Sequence, residues 1–464
     1  MPMHHEPSRP SGRTETVASD DYPLTEVPLR ARRGLFSLLT VLLGFVFFTP
    51  TMLAGAQLSA AFRWNELVSV LVVGSLVLGL YVAALSWLGA RTGLTTVLLA
   101  RYTLGRFGAK WAGLLLGGTQ VCWYAVTAVF LSELLVQALG WQDYTWLVIV
   151  LSSILTGAIA YYGYRGLEVL SGLSVPLMFG LCCWVTVQAL NEVGGWGGLN
   201  AVDPRESLPW ATAVTIAVGT FVSGGTQTPN WSRFARLPWQ AFVAAFGAFF
   251  VGNLMMLVFG AIGAVAFQAD DFVAVLLQMN MVIAAITLLF FNVWTTQENA
   301  AYAFGVAGAE IFGVAGKRPF IIIGVAAAIL LALTGIYEAL PQYLVLLGIL
   351  IPPLGGVIIG DHIFVWRSRK LPSVEETRFL AVRWSCVTAY LLGTIVALVS
   401  DHMAIGLPPV QGIVVAALAV PVAEGMFRML GVGTQHQHTG KAQSTDERPE
   451  LKGSTPRFWN TSKN

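Results

Sequence analysis

Apolar stretches about as long as a bilayer is thick recur along this chain, and they leave it few folds to choose from. Twelve are read, near 35–61, 67–90, 111–139, 144–163, 168–190, 208–228, 240–267, 281–305, 319–336, 342–365, 378–400 and 409–430. A helix needs roughly 20 residues to cross the hydrocarbon core. Lipid offers no hydrogen bonds, so a spanning segment pairs its backbone internally, as a helix does. Charged residues make up only 11% of the chain, against about 25% in a soluble domain. The expected fold class is an all-α integral membrane protein of twelve transmembrane helices, occupying residues 30–430 in a lipid bilayer. The polar segments 1–29 and 431–464 are expected to be disordered tails.

The basic residues set the orientation. Arg30, Arg32 and Arg33 precede the first span, and alternate loops then carry Arg91, Arg101, Arg106 and Lys110; Arg165; Arg233 and Arg236; Lys317 and Arg318; and Arg367, Arg369, Lys370, Arg378 and Arg383. Of 27 Lys and Arg, only Arg63 and Arg205 fall in the intervening loops. The positive-inside rule makes the basic side, with both termini, cytoplasmic.

Several function classes are excluded on the same reading. A net charge of +2 without a long basic block argues against nucleic acid. No Walker A motif is present, which argues against an ATP-driven pump, and no H-E-x-x-H or G-x-S-x-G motif or paired carboxylates suggest an enzyme. The tails are too short and polar for a receptor's signalling domain, and no obligate protein partner is inferred. Cys122, Cys182, Cys183 and Cys386 all lie in apolar spans and read as small buried hydrophobes. His436 and His438 in a polar tail are not read as a metal site.

Two spans are expected to break. The first contains Gly44-Phe-Val46-Phe-Phe-Thr49-Pro50-Thr51, where proline removes a backbone donor and clashes with the preceding turn. The sixth contains Gly219-Thr-Phe221-Val-Ser223-Gly-Gly-Thr226, rich in poor helix formers. Spans one and six correspond if the first ten helices form two five-helix repeats, about 35–190 and 208–365, with 378–430 supplying two more. Five is odd, so the second repeat is inverted. Interrupted spans in corresponding positions point to a transporter's binding site.

Two further spans carry polar stripes at i, i+3, i+4, i+7 spacing: Asn292, Thr295, Thr296 and Asn299 in the eighth, and Gln120, Trp123, Tyr124 and Thr127 in the third. Polar groups inside a membrane helix mark function by default. Carbonyls freed at the break near Val46 and Thr49, with the Thr295 and Thr296 hydroxyls, suit a small hard cation. The alternative is that both hydroxyls bond back to their own helix. Gln120 and Asn292 each offer an amide donor and acceptor, while Trp123 and Phe221 offer flat faces; together these suit a planar, neutral, hydrogen-bonding ring such as a nucleobase. Glu298, off the stripe, reads as structural or gate-lining.

Longer motifs carry a resemblance. Leu116-Gly-Gly-Thr-Gln120-Val-Cys-Trp123, Phe221-Val-Ser223-Gly-Gly-Thr226, Asn292-Val-Trp-Thr-Thr296-Gln-Glu-Asn299 and Ile351-Pro-Pro-Leu-Gly-Gly-Val-Ile-Ile359 resemble the nucleobase–cation symport-1 family, as do Gly89-Ala-Arg-Thr-Gly-Leu-Thr-Thr96 and Leu99-Ala-Arg-Tyr102. The similarity runs from about Val27 to Leu430 and is closest to the cytosine-transporting members. It implies the sodium-coupled inverted-repeat fold, with a bundle of spans 1, 2, 6 and 7 moving against a scaffold of 3, 4, 8 and 9. It implies cytosine import coupled to a sodium ion across a bacterial inner membrane. Carried over by position, Gln120 bonds the base, Trp123 and Phe221 sandwich it, and Ser223 and Asn292 add polar contacts. Sodium is assigned to the Thr295 and Thr296 hydroxyls, the Asn292 carbonyl and the backbone near Val46 and Thr49. Uracil, a purine, a hydantoin or a pyrimidine vitamin precursor is the alternative cargo, and a proton the alternative ion. The chain departs from the family pattern at Pro50 and Cys122.

Overall fold

Helix covers the centre of every expected span but the first, which parts at Phe47–Phe48. The computed structural model describes residues 22, 24–160, 164–268, 275–276, 278–279, 281–335, 340–367, 369–433 and 437–438. In chain order the helices are α1 (Leu35–Val46), α2 (Thr49–Ser59), α3 (Trp64–Thr92), α4 (Thr96–Leu139), α5 (Thr145–Ala160), α6 (Tyr164–Val193), α7 (Gly195–Ala201), α8 (Trp210–Gly219), α9 (Val222–Thr226) and α10 (Pro229–Ser232). They continue with α11 (Pro238–Phe246), α12 (Asn253–Phe267), α13 (Val282–Phe312), α14 (Arg318–Ala332), α15 (Leu340–Gly360), α16 (Trp384–His402) and α17 (Pro408–Met429). A π-helical turn, Gly247–Gly252, joins α11 to α12, and another, Asp361–Val365, follows α15.

Among the described residues, seven helices are long and apolar enough to cross a membrane, or eight if the bent pair α1–α2 counts as one span. Helix α13 has the length, at 31 residues, but polar residues interrupt its middle. Apolar side chains such as Leu173, Ile283, Ile322, Leu330 and Val422 are exposed, which suits contact with lipid rather than water.

Local chemistry explains the interruptions. At 44 residues α4 would run about 66 Å, twice the hydrocarbon thickness. It is divided at Gly105, which adopts φ 82°. A Cβ there would lie 2.9 Å from the Leu380 carbonyl oxygen, and the 104–107 backbone instead bonds the segment before α16, through Arg106 N–H to Leu380 O (2.9 Å), Phe107 N–H to Ala381 O (2.9 Å) and Arg383 N–H to Leu104 O (3.0 Å). The stretch Thr96–Leu104, expected as loop, is thus helical. Helices α2 and α12 approach through small residues: Cβ atoms added at Gly55 and Gly260 would meet the backbone of Leu257 and Met52, the close contact that membrane helices use in place of a hydrophobic drive.

The tail boundaries are corrected. Val27 is buried, and its N–H donates to the Gly93 carbonyl (3.1 Å). Arg236 N–H donates to Arg33 O (2.9 Å), and Arg33 N–H donates to Phe234 O. The segment from Val27 onward is therefore anchored by burying an apolar side chain and pairing its backbone. Gln437–His438 pairs antiparallel with Thr377–Arg378. Residues 1–21, 23, 434–436 and 439–464 of the expected tails, His436 among them, lie outside the described residues.

Candidate functional site

The first span breaks at Phe47–Phe48, between Val46 and Thr49 as expected but ahead of Pro50. Phe47 and Phe48 leave helical geometry (φ −69°, ψ 90° and φ −140°, ψ 119°), and the two halves meet at 54°. Pro50 falls in the first turn of α2, where its missing N–H costs nothing and its fixed φ favours helix. The break therefore precedes the proline.

Asn292 of α13 closes this gap. Its side-chain NH2 donates to the Phe47 carbonyl (2.7 Å), and its Oδ1 accepts from the Thr49 amide (2.7 Å) and hydroxyl (2.8 Å). Three groups orphaned by the break are thereby satisfied, each of which would cost about 1–3 kcal/mol if buried alone. Both acceptor sites of the amide oxygen are used, and one amide N–H remains.

The other stripe members differ from one another. The Thr295 hydroxyl bonds back to Phe291 O and Asn292 O (3.0 Å each), as the alternative reading allowed. The Thr296 hydroxyl is buried with no partner among the described residues. Among the described residues, no hydrogen bond joins either hydroxyl to residues 46–49 and Asn292 makes that link, although α1 and α2 both pack on α13. Val46 and Thr49 are fully buried at the break. Asn299 Nδ2 donates to Thr295 O (2.8 Å). Both Glu298 carboxylate oxygens are buried without a hydrogen bond among the described residues.

Of the residues assigned to the base, Gln120, Trp123, Phe221 and Ser223 come together, while the Asn292 side chain bonds the first-span break. Helix α8 ends at Gly219, Phe221 sits at φ −134°, ψ 5°, and α9 restarts at Val222. This places Ser223 where its Oγ accepts from Trp123 Nε1 (3.2 Å) and Gln120 Nε2 (3.4 Å) of α4. Gln227, one turn on, fixes the register by donating to Leu116 O (3.1 Å). Gln120, Trp123, Phe221 and Ser223 are all buried.

Trp123 and Phe221 do not face each other across an open slot. The Phe48 ring lies between them, 5.2 Å from Trp123 and 5.4 Å from Phe221, edge-on to both. Tyr343 of α15 meets the Trp123 ring at 5.6 Å and donates to Thr119 O (3.1 Å). Sequence reasoning missed Phe48 and Tyr343; only the extended backbone at the break aims Phe48 inward. The third-span stripe also divides. Tyr124 turns away to donate to Ser153 O (2.5 Å) on α5, and Thr127 bonds back to Trp123 O (2.9 Å). Cys122 is half-buried next to Tyr343.

The arrangement is a buried polar cluster with donors on one wall and aromatic edges around it, flanked by a helix break and an unpartnered hydroxyl. Comparison with known proteins gives it a context. A protein family described as permease for cytosine/purines, uracil, thiamine, allantoin matches residues 27–421. The cytosine permease of Escherichia coli K12 is 35% identical over 393 residues, covering 85% of this chain and 91% of that protein; the cytosine permease of E. coli O157:H7 matches to the same extent. Among solved structures, Mhp1, a nucleobase-cation-symport-1 family transporter in a closed conformation with bromovinylhydantoin bound, superposes with a TM-score of 0.76 at 16% identity, covering 88% of this chain and 96% of that one. A sodium-coupled sialic acid symporter superposes with a TM-score of 0.62 at 12% identity, covering 91% and 94%. On the span of the family match and the identity to full-length relatives, the chain belongs to the nucleobase–cation symport-1 permeases, a family of membrane transporters rather than enzymes.

Proposed function

We propose that this permease imports cytosine together with sodium. The observation that carries the substrate reading is the convergence of Gln120, Trp123 and Ser223 beside the Phe48 and Phe221 rings. Amide and hydroxyl groups match the edge of a neutral base, and an aromatic platform contributes roughly 1–3 kcal/mol per stacked base. A base enters between Trp123 and Phe221 when the Phe48 ring swings aside. The remaining Asn292 N–H supplies one more donor. The 35% identity to a cytosine permease supports cytosine over the other bases.

Sodium is assigned to the backbone at Val46 and Thr49, the Thr295 and Thr296 hydroxyls, and the Asn292 carbonyl, which exchanges a Thr49 donor for the ion when it binds. The buried, unpartnered Thr296 oxygen supports this set, since a buried hydroxyl without a partner calls for one. Thr295 back-bonding commits its proton but leaves oxygen lone pairs. Asn292 then couples the two cargoes, because it holds the break that shapes both sites. An inward cation gains about 2.3 kcal/mol per 100 mV. At about 1.4 kcal/mol per tenfold, one ion sustains more than tenfold accumulation before its own gradient is counted.

The finer architecture belongs to the same proposal: twelve spans, two inverted five-helix repeats broken at Phe47–Phe48 and Thr220–Phe221, a bacterial inner-membrane location and cytoplasmic termini. Alternating access moves one set of helices against the other around the mid-membrane site. Thr296→Ala is expected to raise the sodium concentration for half-maximal uptake several-fold while leaving cytosine affinity at saturating sodium nearly unchanged; an unchanged sodium dependence removes Thr296 from the ion site. Competition of radiolabelled cytosine uptake in cells by uracil, adenine, hydantoin and a pyrimidine vitamin precursor tests the cargo. Cytosine is expected to compete best, and stronger competition by another ring reassigns the substrate.

A further inference from the structure

Away from the transport cluster, a cavity of about 560 Å³ opens at the end of the helices that carries the basic loops, between the segment before α1, the end of α3 and the segment after α15. Four cations line it, Arg32, Arg91, Arg369 and Lys370, against one carboxylate, Glu26. His362 also lines it; this side chain is only 5% exposed, and its Nε2 has no hydrogen-bond partner among the described residues.

The charge excess alone would follow from membrane orientation, which puts Lys and Arg into solvated loops. The geometry here goes further. The Trp87 ring holds two of the groups, with the Arg91 guanidinium 4.9 Å from its centroid and the His362 ring edge-on at 6.1 Å. Arg32 is fixed by donating to Ala90 O (2.9 Å) and Val27 O (3.4 Å). Its path requires Gly93, whose added Cβ would lie 2.9 Å from the guanidinium. Arg369 and Lys370 are exposed and make no ion pair among the described residues. Two oriented cations, two uncommitted ones and a buried imidazole thus line one cavity.

We propose that this cavity binds a phosphate-bearing anion, with the phosphate among Arg32, Arg369 and Lys370 and beside the His362 ring. Two sources share this chemistry, a soluble phosphate compound and the headgroup of an anionic phospholipid. Charge-assisted hydrogen bonds from guanidinium and ammonium groups suit phosphate oxygens. Bound there, the anion ties the segment before α1 and the end of α3 to the segment after α15, and so stabilises the arrangement seen in this structure.

The test uses the purified full-length protein in neutral detergent, with potassium salts throughout so that sodium does not intervene. Melting temperature is followed during titration with potassium pyrophosphate, with potassium chloride at matched ionic strength as the reference. Parallel samples receive phosphatidylglycerol or phosphatidylcholine. A saturable rise with pyrophosphate beyond chloride supports a soluble ligand; a rise with phosphatidylglycerol beyond phosphatidylcholine supports a lipid headgroup. In either arm the Arg369→Gln/Lys370→Gln variant, altered only at exposed positions, is expected to need about tenfold more ligand. The proposal is overturned if neither arm of the wild-type titration exceeds its reference, or if the variant responds as the wild type does.

Discussion

Replacing Asn292 with alanine is expected to reduce cytosine uptake to near background and to destabilise the protein by about 2–4 kcal/mol. The substitution removes three hydrogen bonds at once, to Phe47 O, Thr49 N–H and Thr49 Oγ. Interhelical hydrogen bonds in membranes average only about 0.6 kcal/mol, because the separated helices find other partners. Here two of the partners are backbone groups at a helix break, which have no such alternative, so the larger cost of an unsatisfied buried group applies. Asn292→Asp separates the two ends of the amide. It keeps an acceptor for Thr49 but sets a carboxylate oxygen against the Phe47 carbonyl. Its melting temperature is expected to fall too, showing that the donor end matters. Wild-type melting and uptake in Asn292→Ala would mean that the bridge across the break is dispensable.

Gln120→Ala is expected to weaken cytosine binding by about a hundredfold while leaving the melting temperature near that of the wild type. A pocket built to hydrogen-bond its ligand loses heavily when one polar partner goes. The bond that Gln120 makes to Ser223 is long, at 3.4 Å, so its structural contribution is small. That contrast separates recognition from folding. Trp123→Phe tests the same wall, since it removes the indole N–H that Ser223 accepts at 3.2 Å but keeps an aromatic face. Isothermal titration with cytosine reads both variants. Wild-type affinity in Gln120→Ala would take Gln120 out of the site.

The sequence pattern revealed where the polar groups lie more readily than what each one does. Periodicity puts Asn292, Thr295, Thr296 and Asn299 on one face, and the structure keeps them buried in α13. It does not show how each spends its hydrogen bonds. Asn292 reaches across to α1 and α2, Thr295 turns back on its own helix, and Thr296 and Asn299 each keep an oxygen without a partner among the described residues. The same holds for Tyr124, whose stripe position suggested the site but whose hydroxyl ends on α5. Pro50 located the break to within a few residues, and the offset has a simple cause: proline is excluded from a helix interior but welcome in its first turn. Phe48 carried no sequence signal, because its direction depends on an extended φ of −140° that exists only once the helix has parted. Gly105 was legible as a poor helix former but not as the corner that turns α4 against the segment before α16.

The central claim is that one break, held by Asn292, organises a base site and a sodium site together. Reconstitution of the purified protein into sealed vesicles tests it most directly, with radiolabelled cytosine outside and either sodium or potassium outside at equal ionic strength. The account predicts cytosine accumulation above the external concentration with an inward sodium gradient, only equilibration with potassium, and a difference in Thr296→Ala that needs several-fold more sodium to appear. Accumulation that follows an imposed proton gradient and ignores sodium would contradict the coupling, and the absence of cytosine uptake under every gradient would contradict the substrate.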